Sequence, residues 1–292
     1  MAAMGPTVGT TLRRNLARAL AEAGAAPDAP HPLAQTQRPG HSPRFGDALA
    51  AEVIPRLRLA HAVQSRSFTL ADTAPIDALG AMLLRHDGAS AAAYVGALQQ
   101  TGMAVEDIYL DLLAPTARLL GQFWADDVCD FGTVTLGLGQ LRRIRESLVP
   151  RLIEGAQPLR AAGHSVLLVP VPGEQHVFGL EMVSDFFRHA GWQAQCVPIR
   201  TISDLTSMLR RVHVDILGLT LGGTQRMDLL ATTIRRARQA SRHRGMAVMV
   251  GGPAFAGHPE YAALVGADAT ATDAREAPIQ AARLLRLLVE RA

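Results

Sequence analysis

The sequence predicts an α/β protein in two parts, a doubly wound parallel sheet in the carboxyl-terminal half preceded by an all-α four-helix bundle. Three observations carry this reading. From about 47 to 153 the apolar residues recur at three- and four-residue spacings, which is the period of one helix face. From 164 onward short apolar runs alternate with amphipathic stretches, the pattern of parallel strands covered by helices. The chain has 292 residues, 48% of them hydrophobic, enough for two cores.

Taken in order, residues 1–46 are rich in Ala, Pro and Gly. Pro27, Pro30, Pro32, Pro39 and Pro43 interrupt any helix that Leu12 to Ala23 would begin, so this segment is expected to be a mobile arm. The bundle is assigned to 47–155. Short helices are expected at 75–86 and 90–101, divided by Asp87 and Gly88. Val105, Ile108, Leu112, Leu119, Leu120 and Phe123 form one apolar stripe, and Leu136, Leu138, Leu141, Ile144 and Leu148 another. A linker with Pro158 is expected at 156–163. The sheet domain, 164–292, then reads as strand 165–171, helix 179–190, strand 195–199, helix 203–212 and strand 215–220. Helix 227–241, strand 246–250, a weak strand at 269–272 and a terminal helix from about 276 to 290 follow. Such an alternation is Rossmann-like.

Composition narrows the function. The formal charge is +3 and the sequence pI 9.4, but the basic residues, all 29 of them Arg, are spread along helices without long runs or interleaved aromatics. That argues against direct nucleic-acid reading. Cys129 and Cys196 show no zinc-type spacing, as expected of free thiols in a reducing compartment. No run approaches the roughly 18 apolar residues of a membrane span, and no secretory signal opens the chain. A cytoplasmic protein is expected.

In open α/β sheets ligands bind beyond the carboxyl ends of the strands, so the loops there are the candidate site. After the first strand comes Glu174-Gln175-His176-Val177-Phe178-Gly179. A carboxylate two residues from an imidazole can hold one ring nitrogen while the other binds a metal. Gly179 would let backbone approach a bulky ligand. After the third strand stand Thr220, Leu221 and Gly222, and after the fourth Gly251, Gly252 and Pro253. Each signal alone has an ordinary explanation: the chain has ten histidines, and glycines end strands. Their order within one sheet is the specific feature.

This constellation resembles the cobalamin-binding domain family, whose members carry Asp-x-His-x-x-Gly, a Ser or Thr motif near the third strand and Gly-Gly on the fourth. The resemblance implies that His176 is the lower axial ligand of cobalt, oriented by Glu174. It also implies that the nucleotide tail passes beside Thr220, Gly222, Gly251 and Gly252, with Gln175, Val177, Phe178, Gly179, Leu221 and Pro253 completing the loops. Glu174 departs from the family's Asp by one methylene. The run Leu119-Leu120-Gly121-Gln122-Phe123-Trp124 is similar to the one that sets a tryptophan over cobalt in the CarH-type photoreceptor repressors. Their Glu-His pair corresponds here to Val134 and Thr135.

The tract from Trp124 to Gly139 resembles the AerR and PpaA antirepressor family, which also lacks that pair. The likeness extends over about 50–290. It implies a non-enzymatic regulator that binds adenosyl-, methyl- or hydroxocobalamin, responds to light and contacts a repressor of the CrtJ or PpsR type. The sequence ahead of the bundle contains no recognisable helix-turn-helix or zinc module, so no autonomous DNA-binding module is expected. The alternative is a corrinoid shuttle protein of a methyltransferase system. A mutase subunit would need a substrate barrel, and a flavin or other nucleotide would leave His176 unexplained.

Overall fold

The computed structural model describes residues 74–155 and 163–290. The expected arm (1–46), the start of the expected bundle (47–73) and most of the expected linker (156–162) lie outside the described residues.

The helical part contains α1 (Ala74–Leu84), α2 (Gly88–Gln100), α3 (Ala114–Ala125) and α4 (Phe131–Glu154). Two aspartates start helices by accepting from backbone N–H groups, Asp87 from Ser90 at 3.0 Å and Asp130 from Thr133 at 2.7 Å. The stripe expected between 105 and 123 is not one regular helix. A helical turn (Val105–Asp107) and a π-helical segment (Ile108–Leu113) precede α3. Pro115, early in α3, cannot donate a backbone hydrogen bond, and the wider turn before it accommodates that loss. Ile108, Leu112, Leu120 and Phe123 still reach the bundle core, as do Leu141, Ile144 and Leu148 of α4. Leu136, counted in the second stripe, is 57% exposed instead.

The sheet comprises β1 (Ser165–Pro170), β2 (Gln193–Cys196), β3 (Ile216–Thr220), β4 (Ala247–Gly251) and β5 (Ala269–Thr270), in the order β2-β1-β3-β4-β5 and parallel throughout. Alternate residues of each strand face opposite ways. Leu167, Val169, Leu217, Leu219, Val248 and Val250 pack against α6 (Ile202–Leu209) and α7 (Met227–Ala240). Val166, Leu168, Ile216, Ala247 and Met249 pack against α5 (Phe178–His189) and α8 (Glu276–Val289). The winding reverses between β1 and β3, which places the crevice beside the loops after those strands. Among the described residues no helix is long and apolar enough to cross a membrane.

The bundle meets the sheet domain mainly along α4 and α5. Met182 and Phe186 of α5 join the bundle core. Arg142 Nε lies 3.2 Å, and Arg145 Nη1 2.9 Å, from Glu181 Oε2, and Tyr109 Oη donates to Asp185 Oδ2 at 3.2 Å. Further along, the His189 ring meets the Leu152 carbonyl. Rising numbers on α4 thus meet rising numbers on α5, so the two helices run parallel. Because α5 departs from the carboxyl end of β1, the start of α4 overhangs that end of the sheet. At 1.5 Å per residue, Phe131 stands about 16 Å along the helix from Arg142.

Candidate functional site

The loop after β1 is organised by one carboxylate. Glu174 Oε1 lies 2.6 Å from His176 Nδ1 and accepts from the backbone N–H groups of Gln175 and His176, both at 2.9 Å. Its Oε2 accepts from the backbone N–H of Gly222, in the loop after β3, at 2.7 Å. The longer side chain of Glu174 therefore spans from its own loop to the neighbouring one. With the carboxylate accepting at Nδ1, the proton belongs there and the Nε2 lone pair is left available. The His176 side chain is 73% exposed and that of Glu174 only 8%.

Burial by itself would raise the Glu174 carboxyl. The hydrogen bonds from His176 and Gly222 outweigh it and lower the group to about 2. The same contact raises His176 above its ordinary value. A carboxyl depressed from 4.5 stabilises the fold above that pH and loses the contribution as pH falls toward about 2. Glu174→Gln is therefore expected to flatten the acid limb of the stability profile, measured as urea midpoints from pH 5 downward. An acid limb identical to the parent's would refute the clamp.

Glycines make this packing possible. A Cβ on Gly222 would stand 2.8 Å from Glu174 Oε2 and 3.2 Å from His176 Nδ1. Gly252 has φ +94°, and a Cβ there would stand 2.6 Å from Thr220 Oγ1 and 2.7 Å from the Leu221 carbonyl. Pro170, Thr220 and Gly251 are side by side in the sheet register, two residues beyond Leu168, Gly218 and Met249. They therefore share the α5 and α8 face. A Cβ on Gly251 or on Gly179 would meet nothing within 4 Å, so open space adjoins both.

Several expected site residues take other places. Leu221, one step out of phase with Thr220, is buried in the core on the α6 and α7 face. Phe178 packs against the bundle core. Val177 lines a cleft of about 410 Å³ together with Arg142, Arg145, Glu181 and Asp185. Gln175 is exposed and contributes its N–H to Glu174, and Pro253 is exposed on its loop.

On the overhang, Trp124 is 49% and Phe131 67% exposed, their rings meeting edge to face at 6.3 Å. Thr135 is exposed and donates its hydroxyl to the Phe131 carbonyl at 2.7 Å. Val134 is only 7% exposed and sits in the bundle core. Adjacent helix positions point about 100° apart, so the pair cannot share the open face.

Residues 164–279 match the B12-binding domain family. This part of the chain is a B12-binding domain. Its residues fit the cofactor: an exposed imidazole whose free nitrogen is fixed by a buried carboxylate, beside a crevice floored by Thr220 and glycines. Cobalamin is thus the cofactor. The chain is 28% identical over 169 residues to an uncharacterized 20.5 kDa protein of the bchF-crtJ intergenic region of Rhodobacter capsulatus, covering 58% of this chain and 87% of that one. The monomethylamine corrinoid protein of Methanosarcina barkeri shares the fold at a TM-score of 0.60 and 17% identity, over 72% of this chain and 98% of that one. A cobalamin-binding protein from Desulfitobacterium hafniense aligns with the same coverage and identity at a TM-score of 0.38.

Three features of the B12-binding domain and its bundle contact escaped sequence reasoning. The Gly222 N–H holds Glu174 from the far loop. Arg226 covers Gly173, with Nη1 2.9 Å from where a Cβ would be. Arg142 and Arg145, read as part of a dispersed charge, are ion-paired across to α5. Only the matching i, i+3 and i, i+4 spacings of Arg142/Arg145 and Glu181/Asp185 hinted at that pairing.

Proposed function

We propose that the protein is a non-enzymatic, light-responsive cobalamin sensor that acts as an antirepressor by contacting a repressor of the CrtJ or PpsR type. The observation that carries this reading is the similarity to a protein encoded between bchF and crtJ, which extends over most of that protein's length. The exposed Trp124 and Phe131 pair supports it, because a cofactor face shielded by aromatic side chains can couple the cofactor to the surface around it. When bound, cobalamin would supply a light-cleavable bond to cobalt. The chain supplies the rest. His176 would hold the cofactor through Nε2 with its ring fixed by Glu174, and Thr220, Gly251 and Gly179 would leave room for the nucleotide tail. Trp124, Phe131 and Thr135 stand on the overhanging end of the bundle.

A corrinoid carrier for methyl transfer has the same fold, as the likeness to the monomethylamine corrinoid protein illustrates. One experiment separates the two. The chain is loaded with aquo-, methyl- or adenosylcobalamin, its absorption is recorded in darkness and after illumination, and binding to a purified CrtJ-type repressor is titrated in both states. A light-driven spectral change with at least a tenfold change in repressor affinity is the expected result. Light-insensitive spectra with no repressor binding would overturn the sensor.

A further inference from the structure

The amino end of the sheet, opposite the cobalamin loops, carries a second cluster of ligand-type side chains. His164 precedes β1, His213 and Asp215 precede β3, and His243 lies in the turn before β4. Parallel strands bring these starts side by side. Asp215 Oδ1 lies 3.2 Å from His213 Nε2 and 4.0 Å from His243 Nδ1. One ligand-capable atom from each of these three residues lies within 4.8 Å of the other two. The imidazoles of His213 and His243 stack at 4.3 Å with 23° between their planes. His164 Nδ1 stands 3.7 Å from the other oxygen, Oδ2.

The carboxylate between them is held in place. Asp215 Oδ2 accepts from the Ser165 backbone N–H at 2.7 Å and from its hydroxyl at 2.8 Å. The Asp215 carbonyl accepts from Ala247 N at 2.9 Å. One oxygen is thus anchored while Oδ1 faces two histidines, of which it can hydrogen-bond only His213. The nearer His243 nitrogen instead contacts the Val214 carbonyl at 3.2 Å.

We propose that His213, Asp215 and His243 form a site for a divalent transition-metal ion, with Zn²⁺ the best match. Two imidazoles and one carboxylate, oriented by bonds to neighbouring groups, are a common donor set for zinc, with bonds of about 2.0–2.1 Å. A tetrahedral arrangement with such bonds sets its ligand atoms about 3.3 Å apart. The His213–Asp215 pair already has that spacing, and to join it His243 Nδ1 must give up the Val214 carbonyl and move about 0.7 Å nearer Asp215 Oδ1, now 4.0 Å away. Bound there, the ion ties the start of β3 to the turn before β4 and, through Ser165, to the start of β1. The fourth position is left to water.

The test uses the full chain without histidine tags, loaded with cobalamin and stripped by chelator, then titrated with Zn²⁺ by calorimetry. One equivalent is expected to bind and to raise Tm. His213→Ala and His243→Ala should each weaken binding at least tenfold and abolish the Tm shift, while the cobalamin spectrum stays that of the parent. X-ray absorption at the zinc edge of the parent, expected to show two imidazole nitrogens, keeps the test independent of whether the variants fold. Absence of zinc binding, parental affinity retained in either variant, or a zinc spectrum without imidazole would overturn the site. None of these outcomes alters the cobalamin assignment, which rests on the opposite end of the sheet.

Discussion

His176→Ala is expected to abolish the histidine-ligated cobalamin spectrum and to weaken cobalamin binding by at least tenfold. The magnitude follows from metal sites in which loss of a group that merely orients a ligand costs about 10–100-fold; here the ligand itself is removed. The geometry leaves no evident substitute. The other imidazole on the strand-end loops, His258, stacks on Tyr261 with ring centroids 4.7 Å apart and pairs with Glu260 at 3.0 Å. Folding stability is expected to fall by about 1 kcal/mol, because the buried Glu174 carboxylate loses its imidazole partner while keeping the backbone N–H groups of Gln175, His176 and Gly222. Added imidazole should partly restore the spectrum, because the alanine leaves a gap of that shape. An unchanged spectrum and affinity would show that cobalt is held elsewhere. Loss of affinity together with a large loss of stability would instead point to a damaged loop, which a urea titration distinguishes.

The residues that carry this prediction were visible in the sequence because they are local. Glu174, His176 and Gly179 lie within one loop, and strand ends are legible from short apolar runs such as 165–171. All five strands and the helices expected between them occur near where the pattern put them, though β2 lies at Gln193–Cys196 and not 195–199, and the pattern does not show the short helix Tyr261–Leu264 before β5. What was not legible depends on phase and on distant partners. Leu221 follows Thr220 in sequence but faces the opposite side of the sheet, and Val134 precedes Thr135 but turns into the bundle. The two-residue period of a strand and the 3.6-residue period of a helix separate both pairs. The Gly222 N–H that fixes Glu174, and the stacking of His213 on His243, arise from strands brought together by the fold. The irregular turn before Pro115 also needs the surrounding bundle, since a proline alone signals a break without showing how the chain absorbs it.

The contact between bundle and sheet domain yields the second large effect, at Asp185. Its carboxylate is 2% exposed, accepts from Tyr109 Oη at 3.2 Å, and stands 3.5 Å from Arg145 Nε and 3.4 Å from Arg188 Nη1. Asp185→Ala is expected to cost about 3 kcal/mol, the low end for breaking a buried ion pair, because Arg145 keeps Glu181 and the adjoining cleft admits water. Asp185→Asn should cost less, about 1 kcal/mol, since it still accepts from Tyr109. Burial raises the Asp185 carboxyl above its ordinary value against the opposing pull of Arg145 and the Tyr109 bond. A group raised in this way stabilises the fold at low pH and loses that contribution as pH rises through its folded value, so the amide, which resembles the protonated acid, is the milder change at neutral pH. The chain's two tryptophans report the outcome separately: Trp124 belongs to the bundle, and Trp192 is buried against Phe187 in the sheet domain. With each followed alone through the Trp192→Phe or Trp124→Phe background, Asp185→Ala should move the Trp124 transition to lower urea than the Trp192 transition. Coincident and unshifted transitions would mean that the apolar contact of Met182 and Phe186 with the bundle suffices without the buried charges.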